Sequence, residues 1–343
     1  CSDYCLARGT KTFMWFEPER VTHLDGMAKN YGYEKNWALS DPSDDRCYVN
    51  DLGNAACREW LLGRIIGVLE ENDISMYRED FNVDPSAYWI FGDEREGADR
   101  TGITENLYVQ GHYALWDGII EYCSKNGKCT YIDSCASGGG RNDLESMRRA
   151  VPFLRSDSDR TTVNLRLAMS SSFSRWLPYG GACAKEGENE LTNGGMDTFV
   201  MRATMLPFYY YAASFYFGKD EIDWACLLKM QDEWNVYKDY FFFDYYVLTP
   251  YHGVNDGSSW TSWMYFDKKT QKGVVSAFRQ DCCGKSTYTL RFKGVESDKY
   301  YSITDVDGVN DRRRIKGSDL MSGLTLKAEN PRTAIVLYVS ETK

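Results

Sequence analysis

Two carboxylates of the 343-residue chain stand where a short apolar run gives way to charge. Asp80 ends the run 74–80 (ISMYRED), and Asp157 ends 151–157 (VPFLRSD). An arginine lies two residues before each, Arg78 and Arg155. A carboxylate beside a fixed cation stays ionised, which suits a nucleophile. A second carboxyl of raised pKa can protonate a leaving group. Two such groups about 5–5.5 Å apart define retaining glycoside hydrolysis through a covalent intermediate. Spacing alone favours the plainer reading, an Asp–Arg salt bridge at each strand end. Residues 133–141 (DSCASGGGR) offer a third candidate. Three adjacent glycines from Gly138 let a backbone approach a ligand and donate N–H groups to it. A tight turn explains them equally well. Cys135 has no His or Asn pattern to make it a nucleophile.

The composition excludes several classes. Hydrophobic residues make up 43% and charged residues 26%, which is globular rather than disordered, collagen-like or coiled-coil. With 40 basic and 50 acidic residues the formal charge is −10, and no cluster of Lys and Arg offers a face to nucleic acid. No apolar stretch reaches the length of a membrane span; the most apolar, 205–217, is broken by Pro207. Aromatic residues reach 15%, with 10 Trp and 25 Tyr, enough for a large packed core and for stacking on sugar faces. Eleven Cys lack paired CxxC spacing, and three His lack HExxH, so no structural metal is expected. Free thiols in a reducing compartment are the default.

The elements that must position these residues alternate. Residues 11–17 (KTFMWFE) read as a strand. Residues 58–72 read as a helix with Trp60, Leu61, Ile65, Ile66 and Leu69 on one face. A strand over 74–80, a helix over 106–126, a strand over 129–134 and a short helix capped by Asp143 follow, then a strand over 151–157. Strand, helix, strand, helix predicts parallel β/α units, and acids at successive strand ends predict the catalytic face of a (β/α)₈ TIM barrel. No GxGxxG or GK[ST] supports a dinucleotide or phosphate fold. Beyond about residue 252, short strands separated by Asp/Gly/Lys turns predict a small antiparallel β-sandwich, with 324–339 as a closing hairpin. The expected division is a barrel over 1–251 and a β-sandwich over 252–343.

Four segments occur in order at suitable spacing: FMWFEPERV (13–21), YREDFN (77–82), DSCASGGGR (133–141) and FLRSD (153–157). Together they resemble the alpha-galactosidases of glycoside hydrolase family 36 from about residue 10 to the end. Members of that family carry an N-terminal β-sandwich, a catalytic (β/α)₈ barrel and a C-terminal β-sandwich. The chain starts at Cys1 rather than Met, and the resemblance implies that it begins partway round the barrel and is incomplete at its N-terminal side.

The resemblance implies roles residue by residue. Asp80 matches the nucleophile, and Asp157 matches the general acid/base. Asp159, in an R-x-x-x-D pattern from Arg155, is the competing acid/base. Arg78 and Asn82 match residues that bond sugar hydroxyls, and Cys135, Gly138 and Trp15 match the galactose pocket. Arg46 lies near a family arginine that contacts sugar. Leu154 stands where many relatives have Trp. The implied activity is exo-acting, retaining release of terminal alpha-linked galactose from raffinose- or melibiose-type oligosaccharides, without cofactor or metal. Its alternatives are an alpha-N-acetylgalactosaminidase, a raffinose-type transglycosylase, or a non-catalytic sugar-binding fragment. The implied partner is an oligosaccharide, neither nucleic acid nor membrane; the implied location is cytoplasmic, and the implied assembly is a homo-oligomer.

Overall fold

The computed structural model describes residues 1–97, 99–135, 140–160, 162–183, 197–210 and 222–342. Two compact units divide the chain, 1–152 and 153–343. Among the described residues no helix is long and apolar enough to cross a membrane, and no cysteine is disulfide-bonded.

The first unit opens with α1 (Ser2–Leu6), β1 (Phe13–Phe16), β2 (Arg20–Val21), α2 (Leu24–Tyr31), β3 (Ala38–Asp41) and β4 (Asp44–Asn50). It continues with α3 (Ala55–Glu71), β5 (Met76–Glu79), α4 (Ser86–Glu96), α5 (Ile103–Lys125), β6 (Ile132–Ser134), α6 (Leu144–Met147) and β7 (Ala150–Val151). Strands β1, β5, β6 and β7 pair in parallel in that order, while β2, β4 and β3 form a separate antiparallel sheet.

The helix periodicity is realised. Leu61, Ile65 and Leu69 of α3 pack with Leu115, Trp116 and Ile119 of α5 against Tyr77 of β5 and Ile132 of β6. Asn54 starts α3 by accepting from the N–H groups of Ala56 and Cys57. Asp143 caps α6 in the same way. The close approach of α5 to the turn before α3 requires Gly111, where a Cβ would lie 1.8 Å from the Leu52 carbonyl oxygen.

The expected strand over 151–157 is cut short. β7 ends at Val151, and among the described residues only Leu154 makes a further parallel bridge, to Gly181. Pro152 has no N–H to continue the ladder.

The second unit contains α7 (Val163–Phe173), β8 (Ala182–Cys183), α8 (Thr198–Ala203), β9 (Tyr209–Tyr210), α9 (Trp224–Tyr237), β10 (Asp244–Val247), β11 (Trp260–Asp267) and β12 (Lys272–Arg279). β13 (Thr287–Leu290), β14 (Tyr300–Asp305), β15 (Arg312–Lys316), α10 (Gly317–Ser322), β16 (Leu324–Lys327) and β17 (Thr333–Thr342) complete it. A short parallel pair joins β8 and β9. The antiparallel sheet runs β10-β11-β12-β17-β14-β15, so its first strand already lies at 244–247.

Both faces of that sheet are covered, and the pleat sorts the side chains. Trp263, Tyr265, Val274, Phe278 and Val336 pack with α7, α8 and α9. Met264, Phe266, Val275, Ala277, Ile335 and Leu337 pack with β13 and β16. The predicted closing hairpin over 324–339 is not formed: β16 pairs with β13, whereas β17 pairs with β12 and β14. The burial explains it. β17 is apolar on successive residues, the mark of a central strand buried on both faces, while β16 alternates buried and exposed.

Gly111→Ala is expected to lower stability by roughly 2–3 kcal/mol through overpacking against the 52–53 backbone. Gly63→Ala, on α3 with no atom within 4 Å, is expected to raise it by about 0.5–1 kcal/mol. Urea midpoints of the two variants check both.

Candidate active site

The pleat of β5 sends its residues to two faces. Tyr77 and Glu79 are buried toward α5, whereas Arg78 and Asp80 lie on the opposite face and are half-buried. In register across that sheet Trp15 lies beside Arg78, and Arg78 beside Asp133. One residue further, the Asp80 N–H donates to the Phe16 carbonyl (2.8 Å) and the Cys135 N–H to the Glu79 carbonyl (2.8 Å). Trp15, Arg78, Asp80 and Cys135 therefore collect at the carboxyl ends of neighbouring parallel strands.

Asp80 is built to stay ionised. Burial pushes its pKa up, but the Asn82 amide, the Cys135 thiol, the Phe81 N–H at 2.9 Å and the Arg78 charge together hold it below the ordinary aspartate value. Arg78 is ion-paired to the fully buried Asp133. Asn82 is exposed, and its backbone N–H donates to Glu17 Oε1 at 3.0 Å. Trp15 leaves 59% of its surface open.

The other sequence candidates are placed differently. Arg46 stands on β4 of the antiparallel sheet, bidentate to Asp44 at 2.9 and 3.2 Å. Asp157 belongs to the second unit and is exposed at the start of a 3₁₀ turn, 157–160. The neighbouring Arg155 is 1% exposed and donates to Ser170 Oγ at 2.9 Å. Gly138 and the side chain of Asp159 lie outside the described residues.

Behind Asp80 lies an ionic network that sequence reasoning missed. Glu19 and Glu79 are fully buried and share Arg141. Arg141 Nη1 and Nη2 donate to the two Glu19 oxygens at 2.5 and 2.6 Å, and Nη1 lies 3.2 Å from Glu79 Oε1. His112 Nε2 meets Glu79 Oε1 at 2.5 Å, so the hydrogen sits on that nitrogen, because a carboxylate only accepts. Tyr77 Oη (2.6 Å) and Trp116 Nε1 (2.8 Å) donate to Glu79 Oε2, and Tyr108 Oη donates to Glu19 Oε2 at 2.5 Å. Burial pushes the Glu79 pKa up, but His112, Arg141 and Tyr77 hold it below the ordinary glutamate value of 4.5. Burial, then the adjacent carboxylates, push the Tyr77 and Tyr108 phenols well above theirs, so both remain donors.

Glu19, Glu79 and His112 are spaced closely enough to hold a metal ion. The Arg141 guanidinium already fills the position between them, so the donor set fits an internal salt bridge and not a metal. The available signal was strand alternation, which turns Glu79 away from Asp80; each residue taken singly reads as an ordinary surface charge.

No family model matches the chain. Alpha-galactosidase Mel36A of Lactobacillus acidophilus is 22% identical over 325 residues, covering 90% of this chain and 41% of that protein. Alpha-galactosidase AgaA of Geobacillus stearothermophilus shares the fold at TM-score 0.78 and 20% identity, over 99% of this chain and 46% of that one. Variants of AgaA have been solved in complex with stachyose and with raffinose. The alpha-galactosidase of Lactobacillus brevis gives TM-score 0.76 at 19% identity, over 100% and 46%. The chain thus spans less than half the length of these relatives.

The stability that Glu79 confers follows from the sign of its shift. A carboxyl whose folded pKa is depressed contributes fully above its unfolded value and loses that contribution as pH falls through the folded one. Acid unfolding of the wild type is therefore expected to steepen below about pH 4.5, and Glu79→Gln to flatten that limb. Arg141→Met, which strands two buried carboxylates, is expected to cost roughly 3–5 kcal/mol at neutral pH. Denaturant titrations across pH measure all three. In sequence over most of its length, and in fold, the chain resembles the alpha-galactosidases of glycoside hydrolase family 36.

Proposed function

We propose that the chain carries catalytic machinery of a retaining alpha-galactosidase that releases terminal alpha-linked galactose from raffinose- or melibiose-type oligosaccharides. The observation that carries the reading is Asp80, an ionised, half-buried carboxylate at a parallel strand end, with Trp15, Arg78 and Cys135 on the same and neighbouring strand ends. The relatedness to alpha-galactosidases supports the substrate class.

In this reading Asp80 attacks the anomeric carbon while Asp157 protonates the departing glycosidic oxygen, leaving a galactosyl ester on Asp80. Asp157 then takes a proton from water as that water attacks the same carbon, which frees Asp80 and gives net retention. Arg78 and Asn82 bond sugar hydroxyls, and Trp15, Cys135 and Gly138 line the pocket. Arg46 is assigned a sugar contact. No metal or cofactor takes part. The proposed architecture is a (β/α)₈ barrel contribution followed by a β-sandwich that opens with β10 (Asp244–Val247) rather than at residue 252, acting as a homo-oligomer in the cytoplasm.

Asp80→Asn is expected to lower turnover of nitrophenyl alpha-galactoside by on the order of 10³-fold or more with the circular dichroism spectrum unchanged. Near-normal turnover sinks the assignment. A panel of nitrophenyl glycosides, run with and without an acceptor sugar, separates galactose release from N-acetylgalactosamine release and from transglycosylation.

A further inference from the structure

The second unit holds a cavity of about 320 Å³ that involves none of the residues given a catalytic role. Its lining joins the carboxyl end of α7 to the segment after β10: Ser171, Ser172, Arg175 and Trp176 on one side, Thr249 and Tyr251 on the other. Two aromatic faces are open at its rim, with Trp176 78% and Tyr251 63% exposed. Large aromatic surfaces are rarely left open without a use when they border a concave polar site.

The polar groups beneath the rings are divided between donors and acceptors. Arg175 is exposed, and among the described residues its guanidinium carries no hydrogen bond or ion pair. It offers a planar fork of five N–H donors. Ser171 and Ser172 direct their hydroxyl hydrogens to the Ala168 carbonyl at 2.9 and 2.8 Å, which leaves their oxygens as acceptors. Thr249 Oγ1 accepts from the Ser262 N–H at 3.0 Å, so its own hydrogen is left to donate.

We infer that this cavity is a second saccharide-binding site, which takes a neutral pyranose against Trp176 and Tyr251 with Arg175 on its hydroxyls. A pyranose has a flat C–H face for an aromatic ring and a rim of hydroxyls that both give and accept, and this lining complements both features. The saccharide class rests on the carbohydrate-active reading above. The site itself requires nothing of Asp80, so it anchors substrate without turning it over.

The test labels the chain with 5-fluorotryptophan and assigns the Trp176 fluorine resonance by its loss in Trp176→Phe. Titration of the Asp80→Asn chain with raffinose is expected to move that resonance saturably. Adding Arg175→Ala is expected to weaken the apparent affinity about tenfold, as loss of a bidentate donor pair does. A Trp176 resonance that raffinose leaves unmoved overturns the proposal. So does one that sodium acetate moves as well as raffinose, which would make the cavity an anion site. Failure of the catalytic reading shows separately, as unchanged nitrophenyl galactoside turnover in Asp80→Asn.

Discussion

The constraint on which the first unit depends is the sharing of one guanidinium by two buried glutamates. Burying a carboxylate without a partner costs several kcal/mol, and two close together cost more. Arg141 offsets that by donating to Glu19 through both terminal nitrogens and reaching Glu79 through one of them. Tyr77, Trp116 and His112 donate to Glu79, and Tyr108 donates to Glu19. The seven members come from the chain after β1, from β5, from α5 and from the segment after β6. Their geometry can be met only when those pieces are in register, so the network selects one arrangement of the sheet ends rather than merely adding stability.

That selection reaches the candidate site through the backbone. Glu79 and Asp80 are consecutive, so fixing one carboxylate toward α5 turns the other to the opposite face. The Glu79 carbonyl also receives the Cys135 N–H, which brings the end of β6 beside Asp80. The internal ion cluster and the proposed chemistry are thus two sides of one strand end.

What was legible in the sequence follows from how locally each signal is encoded. The helices α3 and α5 were readable because apolar residues recur at helical spacing over many turns and bury one face. The strand-end positions of Asp80 and Cys135 were readable because a short apolar run that gives way to polar residues is a local pattern, whereas Trp15 and Arg78 entered as candidates through the resemblance of four short motifs. The extent of β7 was misread because the apolar run through Leu154 outweighed the missing N–H of Pro152. The 324–339 hairpin was misread because sequence proximity suggests pairing, whereas strand partners in a sandwich are chosen by which faces are buried. Glu19, His112 and Arg141 escaped because charge in sequence says nothing of burial; only tertiary structure shows that 33 to 122 residues of separation close to hydrogen-bond distance.

The two adjacent carboxylates also show why only one suits nucleophilic work. Glu79 has each oxygen engaged at least twice by donors in a site with no exposure to speak of, so it has no lone pair to offer. Asp80 is kept ionised mainly by neutral donors, with Arg78 acting at longer range because its guanidinium is committed to Asp133. Had Arg78 clasped Asp80 directly, the carboxylate would be ionised but neutralised, with its attacking oxygen in a salt bridge. Burying Asp133 completely therefore has a consequence beyond its own ion pair: it draws the cation aside and leaves Asp80 charged, half-open and available to an electrophilic carbon.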